Sequence, residues 1–248
     1  MKPIYFFVFF LLFSNSFNSC SSQEKVSKKV FDEIALVNEI QFYNSKLDQP
    51  KFSCGFLLKY NTDTFAVTAK HLLKVIKPEQ MTTLSFDNII KRWSLYPLDR
   101  KKEVVITDAL LNENKAEILA DKSTYTDDWL LFSLKANHSK VKALEVRATP
   151  LVPGEKLYVI GWTRKMESGQ QRVYEFEYLK TIDHRILLKE ILVPEQFGGL
   201  SGAPLVDEQG AVVGIVSNGT IDPASNKKYF SPCVLDGLIS FIEKYQHK

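Results

Sequence analysis

Short apolar runs separated by polar turns make up most of this chain. SCGFLLKY (53–60), TFAVTAKHLL (64–73), EVVITDALL (103–111), WLLFSLKA (129–136), KLYVIGWTR (156–164), RVYEFEYLK (172–180) and AVVGIVSNG (211–219) are rich in β-branched, aromatic and aliphatic residues. That composition suits a pleated, half-buried surface and predicts strands. Between them, YNTDT, LVPGE and DEQG carry the Asn, Asp, Pro and Gly of tight turns. Helical periodicity is sustained only in SPCVLDGLISFIEKYQHK, where Val234, Leu235, Leu238, Ile239, Phe241, Ile242 and Tyr245 return at helical spacing. Many short strands followed by one helix predict an all-β barrel or sandwich, not a βαβ fold. No linker divides residues 33–248, which are expected to fold as one unit.

The first residues break this pattern. Lys2 precedes IYFFVFFLLF, an apolar stretch too short to span a bilayer, and SNSFNSC follows. That order is a secretory signal in outline, expected over residues 1–19. Cys20 adds a second meaning, because the segment resembles a bacterial lipoprotein signal whose cysteine is lipidated after cleavage. Phe17 departs from the aliphatic residue usual at that place, whereas Ser19 is suitably small. The expectation is an exported protein anchored to a membrane through Cys20, or else periplasmic or secreted, with residues 20–32 as a tether.

Composition narrows function more than fold. Of the 248 residues 45% are hydrophobic and 25% charged, and the net charge is +3 with lysines and acids interleaved. No basic block suits a nucleic acid. Three cysteines are too few for a disulfide scaffold.

The chemistry concentrates at FGGLSGAPLV (197–206), which spends three of the chain's 11 glycines around one serine. Glycine costs backbone entropy unless the chain must turn sharply or present its N–H groups. A serine nucleophile beside an anion-binding loop would use both properties, and it also needs a base and a carboxylate to orient that base. Of the four histidines, only His71 directly follows a strand; His138, His184 and His247 have polar or terminal surroundings. Asp128 opens the apolar run WLLFSL, where a carboxylate is partly buried and needs a partner, while Asp127 reads as a solvated turn acid. A Gly-x-Ser-x-Gly elbow with Ser201, Asp222 and His247 is rejected, since position 203 is Ala and the upstream pattern is strand after strand.

The order His71, Asp128, Ser201, each in its own strand context, resembles the chymotrypsin-like (trypsin-fold) serine peptidases. VTAKHLL is similar to their Thr-Ala-x-His segment, DDWLLFSL to their Asp followed by apolar residues, and GGLSGAPLV to their Gly-x-Ser-Gly-x-Pro-Leu-Val hairpin. PLVPGEKLYVIGW is similar to the start of the second barrel in bacterial members. The resemblance spans roughly 50–245. It implies two six-stranded antiparallel β-barrels with a C-terminal α-helix, and a monomeric endopeptidase that takes a polypeptide substrate without metal or cofactor. Ser201 would be the nucleophile, His71 the base and Asp128 its orienter, with the N–H groups of Gly199 and Ser201 as oxyanion hole. Gly202 and Ala203 would let the serine loop pack on the next strand. Ser217, Asn218 and Gly219 would bind substrate backbone, and Glu195 would floor the side-chain pocket, with Lys227 and Lys228 near its opposite wall.

Two departures stand out. Cys54 occupies a half-cystine position whose partner position is Leu72, and whether Cys54 meets Cys233 is open. In the zymogen-activated branch the residue before the nucleophile is an acid that pairs with a new N-terminal amine; here it is Leu200. Because fold does not guarantee activity, a non-catalytic binding module on the same fold is the rival reading.

Overall fold

The computed structural model describes residues 27–76, 78–79, 81–120 and 125–247. The expected signal segment, Cys20 and the tether up to residue 26 lie outside the described residues. Twelve strands build two barrels. The first contains β1 (Ala35–Phe42), β2 (Gln49–Tyr60), β3 (Asp63–Thr68), β4 (Ile90–Tyr96), β5 (Val105–Leu110) and β6 (Leu130–Asn137). The second contains β7 (Lys156–Gly161), β8 (Arg172–Ile182), β9 (Arg185–Leu192), β10 (Pro204–Val206), β11 (Val212–Ile215) and β12 (Cys233–Val234). Around the first barrel the order is β1-β2-β3-β6-β5-β4, and around the second it is β7-β8-β9-β12-β11-β10. The two halves therefore share one topology, and closure leaves neither with a free edge. Each barrel pairing is antiparallel. Two small ribbons lie outside, Thr83–Leu84 with Asn114–Ile118 and Thr220–Asp222 with Lys227–Tyr229. Helices α1 (His71–Ile76) and α2 (Asp236–Gln246) follow β3 and β12; α2 takes up the periodic run from Leu238 on, whereas Val234 pairs in β12 and Leu235 precedes the helix.

One apolar core fills the first barrel. The second core spans the second barrel and the seam between barrels, and includes Leu238 and Ile242 of α2. β1 serves both: Leu36 and Ile40 point into the first core, Ala35 and Val37 into the seam. With both faces buried, ALVNEIQF shows no alternation, and its Asn38 and Glu39 break the apolar run. Asn38 is nonetheless fully buried and satisfied, donating to Phe52 O (3.0 Å) and Cys54 O (2.9 Å) while accepting from Trp93 Nε1 (2.9 Å).

The run 64–73 corrects one expectation. The strand ends at Thr68, and α1 starts at His71 with Leu73 N bonded to Lys70 O (3.0 Å). The turn folds Leu73 into the first-barrel core, which a straight strand would not do. From Ser27 to Asp32 the chain lies along the second barrel: Ser27 N donates to Val173 O (2.8 Å), and the Phe31 ring packs on Tyr158 (5.2 Å).

Candidate active site

The seam brings three distant segments together. His71, at the start of α1, has its Nδ1 2.6 Å from Asp128 Oδ2 and its Nε2 2.8 Å from Ser201 Oγ. Asp128 is wholly buried just before β6, and its other oxygen accepts the His71 backbone N–H at 2.7 Å. Ser217 donates its hydroxyl to Asp128 Oδ2 as well. Burial alone would raise the Asp128 pKa. The bond and charge of His71, the Ser217 hydroxyl and the His71 N–H outweigh it and hold the carboxyl below the ordinary aspartate value. An ionised Asp128 requires the proton on His71 Nδ1, which leaves Nε2 free to accept from Ser201 Oγ.

The serine loop is held by its glycines. Gly199 has φ +101°, and a Cβ there would stand 2.4 Å from Arg164 N. Gly202 has φ +82°, and a Cβ would stand 2.2 Å from Cys54 O and 2.4 Å from Thr68 Oγ1. Gly202 was expected to let the loop pack on the next strand. The loop does pair there, just beyond β11, with Gly202 N donating to Val216 O and Val216 N to Ala203 O (2.9 Å each), and the crowding at Gly202 adds the first barrel, to which the loop is also tied by Cys54 N donating to Ser201 O at 2.9 Å. This cross-barrel bond sets Ser201 against His71. Leu200 N, Gly202 N and Ala203 N are bonded to main-chain carbonyls, whereas among the described residues the N–H groups of Gly199 and Ser201 have no acceptor inside the protein. Two unpaired donors flanking a hydroxyl suit a developing oxyanion.

The trypsin family's sequence model matches residues 38–235. The chain belongs to the trypsin family. No curated protein matches it. Among solved structures it is similar to one described as that of GrC (17% identity, TM-score 0.61) and to neuropsin, a serine protease from mouse brain (14% identity, TM-score 0.60). Each likeness covers 90% of this chain and 98% of the other, and at such identities it shows the fold alone.

Beside Ser201 this trypsin-family chain has a cleft of about 440 Å³ lined by Phe197, Ser217, Asn218, Gly219, Lys228 and Phe230, among others. Among the described residues the main-chain N–H and C=O groups of Ser217 and Gly219 have no internal partners, so this edge is open to an added strand. Asn218 O is already taken by Ser231 Oγ (3.0 Å).

Glu195, expected at the pocket floor, is not among the cleft residues. It is exposed on the loop before the serine and lies 3.7 Å from Lys165. The acid that lines the cleft is Glu190 of β9, opposite in charge to Lys228. Cys54 and Cys233 are both free and buried. Burial pushes the Cys54 thiol up to about 12. The hydroxyl of Ser217 and the rings of Phe197 and Phe230 were not singled out for these contacts in the sequence. Only an apolar strand ending in Ser-Asn-Gly pointed towards the first, and nothing local pointed to the rings.

Proposed function

We propose that this protein is a serine endopeptidase acting through an acyl-enzyme. Ser201 Oγ attacks the peptide carbonyl as His71 Nε2 takes its proton. The buried carboxylate of Asp128 keeps His71 in the right tautomer and stabilises the imidazolium. The N–H groups of Gly199 and Ser201 stabilise the tetrahedral oxyanion, and His71 returns the proton to the leaving amine. Water then hydrolyses the ester by the same route. The observation that carries this reading is the unbroken chain Ser201–His71–Asp128, at 2.8 and 2.6 Å, beside two unpaired N–H donors.

The test is labelling by a fluorophosphonate, which needs both an activated serine and a formed oxyanion hole. Wild type is expected to be labelled at Ser201, and Ser201→Ala to lose turnover by about 10⁶-fold while staying folded. An unlabelled wild type would leave a trypsin-fold binding module in its place. For location, we read residues 1–19 as an export signal of bacterial type and Cys20 as a lipid anchor, supported by the apolar stretch and the small residue before the cysteine.

A further inference from the structure

We propose that a stack of three phenylalanines fixes the substrate class of this site: peptides with an uncharged apolar side chain on the residue whose carbonyl is attacked. The inference rests on the peptidase reading and adds the side chain that the enzyme selects.

With the substrate chain laid on Ser217 and Gly219 and its carbonyl at Ser201, the side chain of the attacked residue faces the 440 Å³ cleft beside the serine. One wall of that cleft is aromatic. Phe197 stacks on Phe230, with centroids 4.6 Å apart and planes 23° from parallel; Phe230 stacks on Phe176 at 4.9 Å and 13°. Phe176 is fully buried in the second-barrel core. The main chain of Phe230 is fixed to β9, with Leu188 N donating to Phe230 O at 3.2 Å. The wall is therefore the outer end of a packed core and does not swing aside for a guest.

The charges point the same way. Among the described residues the charged side chains lining the cleft are Glu190 and Lys228, both exposed and of opposite sign. The stem of Lys228 lies over Gly219, its Cε 3.0 Å from where a Cβ would sit. Neither residue offers a buried partner to a charged guest, and Glu195 stands outside. A lysine or glutamate side chain entering here would lose water against phenyl rings without an ion pair in return, whereas an apolar side chain gains by the same transfer.

The experiment is a set of peptide amides that differ only at the attacked residue (Ala, Leu, Phe, Lys or Glu), read as kcat/KM alongside fluorophosphonate labelling. Leu and Phe are expected to exceed Ala by about tenfold, and Lys and Glu by on the order of 100-fold. Phe197 is the half-exposed end of the stack, so Phe197→Ala tests the wall with the least risk to the core. That variant is expected to lose most of the Leu-over-Ala preference, and Phe197→Leu to keep it. A labelled wild type with a flat profile would overturn the inference alone. So would a preference for Lys removed by Glu190→Gln, or one for Glu removed by Lys228→Gln. An unlabelled wild type would sink the peptidase reading and this inference with it.

Discussion

Leu200, next to Ser201, decides how the loop from Gly199 to Gly202 is held. It is wholly buried, and its Cδ2 is 3.2 Å from where a Cβ on Gly161 would sit, in a cluster with Cys54 and Ala203. An apolar side chain has no charge to pair with a free N-terminal amine. The loop must then be held by burial, by Leu200 N bonded to Phe197 O (3.1 Å), and by the Cys54–Ser201 bond. Leu200→Ala removes a fully buried isobutyl group from the apolar core between the barrels, so the loss should be about 2–5 kcal/mol. For a chain of this size that is a fall in Tm of roughly 4–20 °C, at about 2–4 °C per kcal/mol. The assay is urea unfolding together with the rate of fluorophosphonate labelling, on protein starting near residue 25 with and without an N-terminal tag. The tag is expected to change neither readout, and Leu200→Ala to lower both. A large rise in kcat when the tag is removed, with Leu200→Ala close to wild type in stability, would refute the argument and point to activation by processing.

Three further outcomes follow from the same geometry. Asp128→Asn should cost on the order of 10⁴-fold in kcat by allowing the wrong His71 tautomer, whereas Asp127→Asn should cost far less; equal losses measured with one peptide substrate would undo the assignment. The Cys54 thiol keeps its proton in the fold up to about 12 but ionises near its ordinary value of 9.0 when unfolded. Its contribution to stability is thus complete below pH 9 and declines above it, by up to roughly 1.4 kcal/mol per pH unit. Urea midpoints taken from pH 8 to 11 should fall more steeply for wild type than for Cys54→Ala, and parallel curves would mean the thiolate is tolerated in the seam. If Cys20 is lipidated, wild type should partition into detergent and Cys20→Ala should not; a wholly soluble wild type would remove the anchor.

What could be read from the sequence is what local backbone chemistry enforces. Gly199 and Gly202 adopt positive φ where a Cβ would collide with backbone, so a glycine pair around a serine was a dependable signal. Asp128 was separable from Asp127 because it adjoins the apolar run, and the structure buries it completely while Asp127 packs beside Gly237 near the start of α2. β1, β4 and β9 escaped notice for the opposite reason. ALVNEIQF is buried on both faces, while IKRWSLY and RILLKEIL mix charges into their apolar positions, so none alternates cleanly. The contacts around the site were still less visible. The Ser217 hydroxyl reaches an aspartate 89 residues away, and the stack joins rings from β8, the serine loop and the segment before β12. Glu195 marks the boundary between the two cases. It stands only six residues before Ser201, but no positive-φ glycine or buried partner fixes the direction of its loop. The side chain turned outward, to Lys165 and water, where a carboxylate costs least. An aligned position thus predicts a role only where the backbone there has no alternative course.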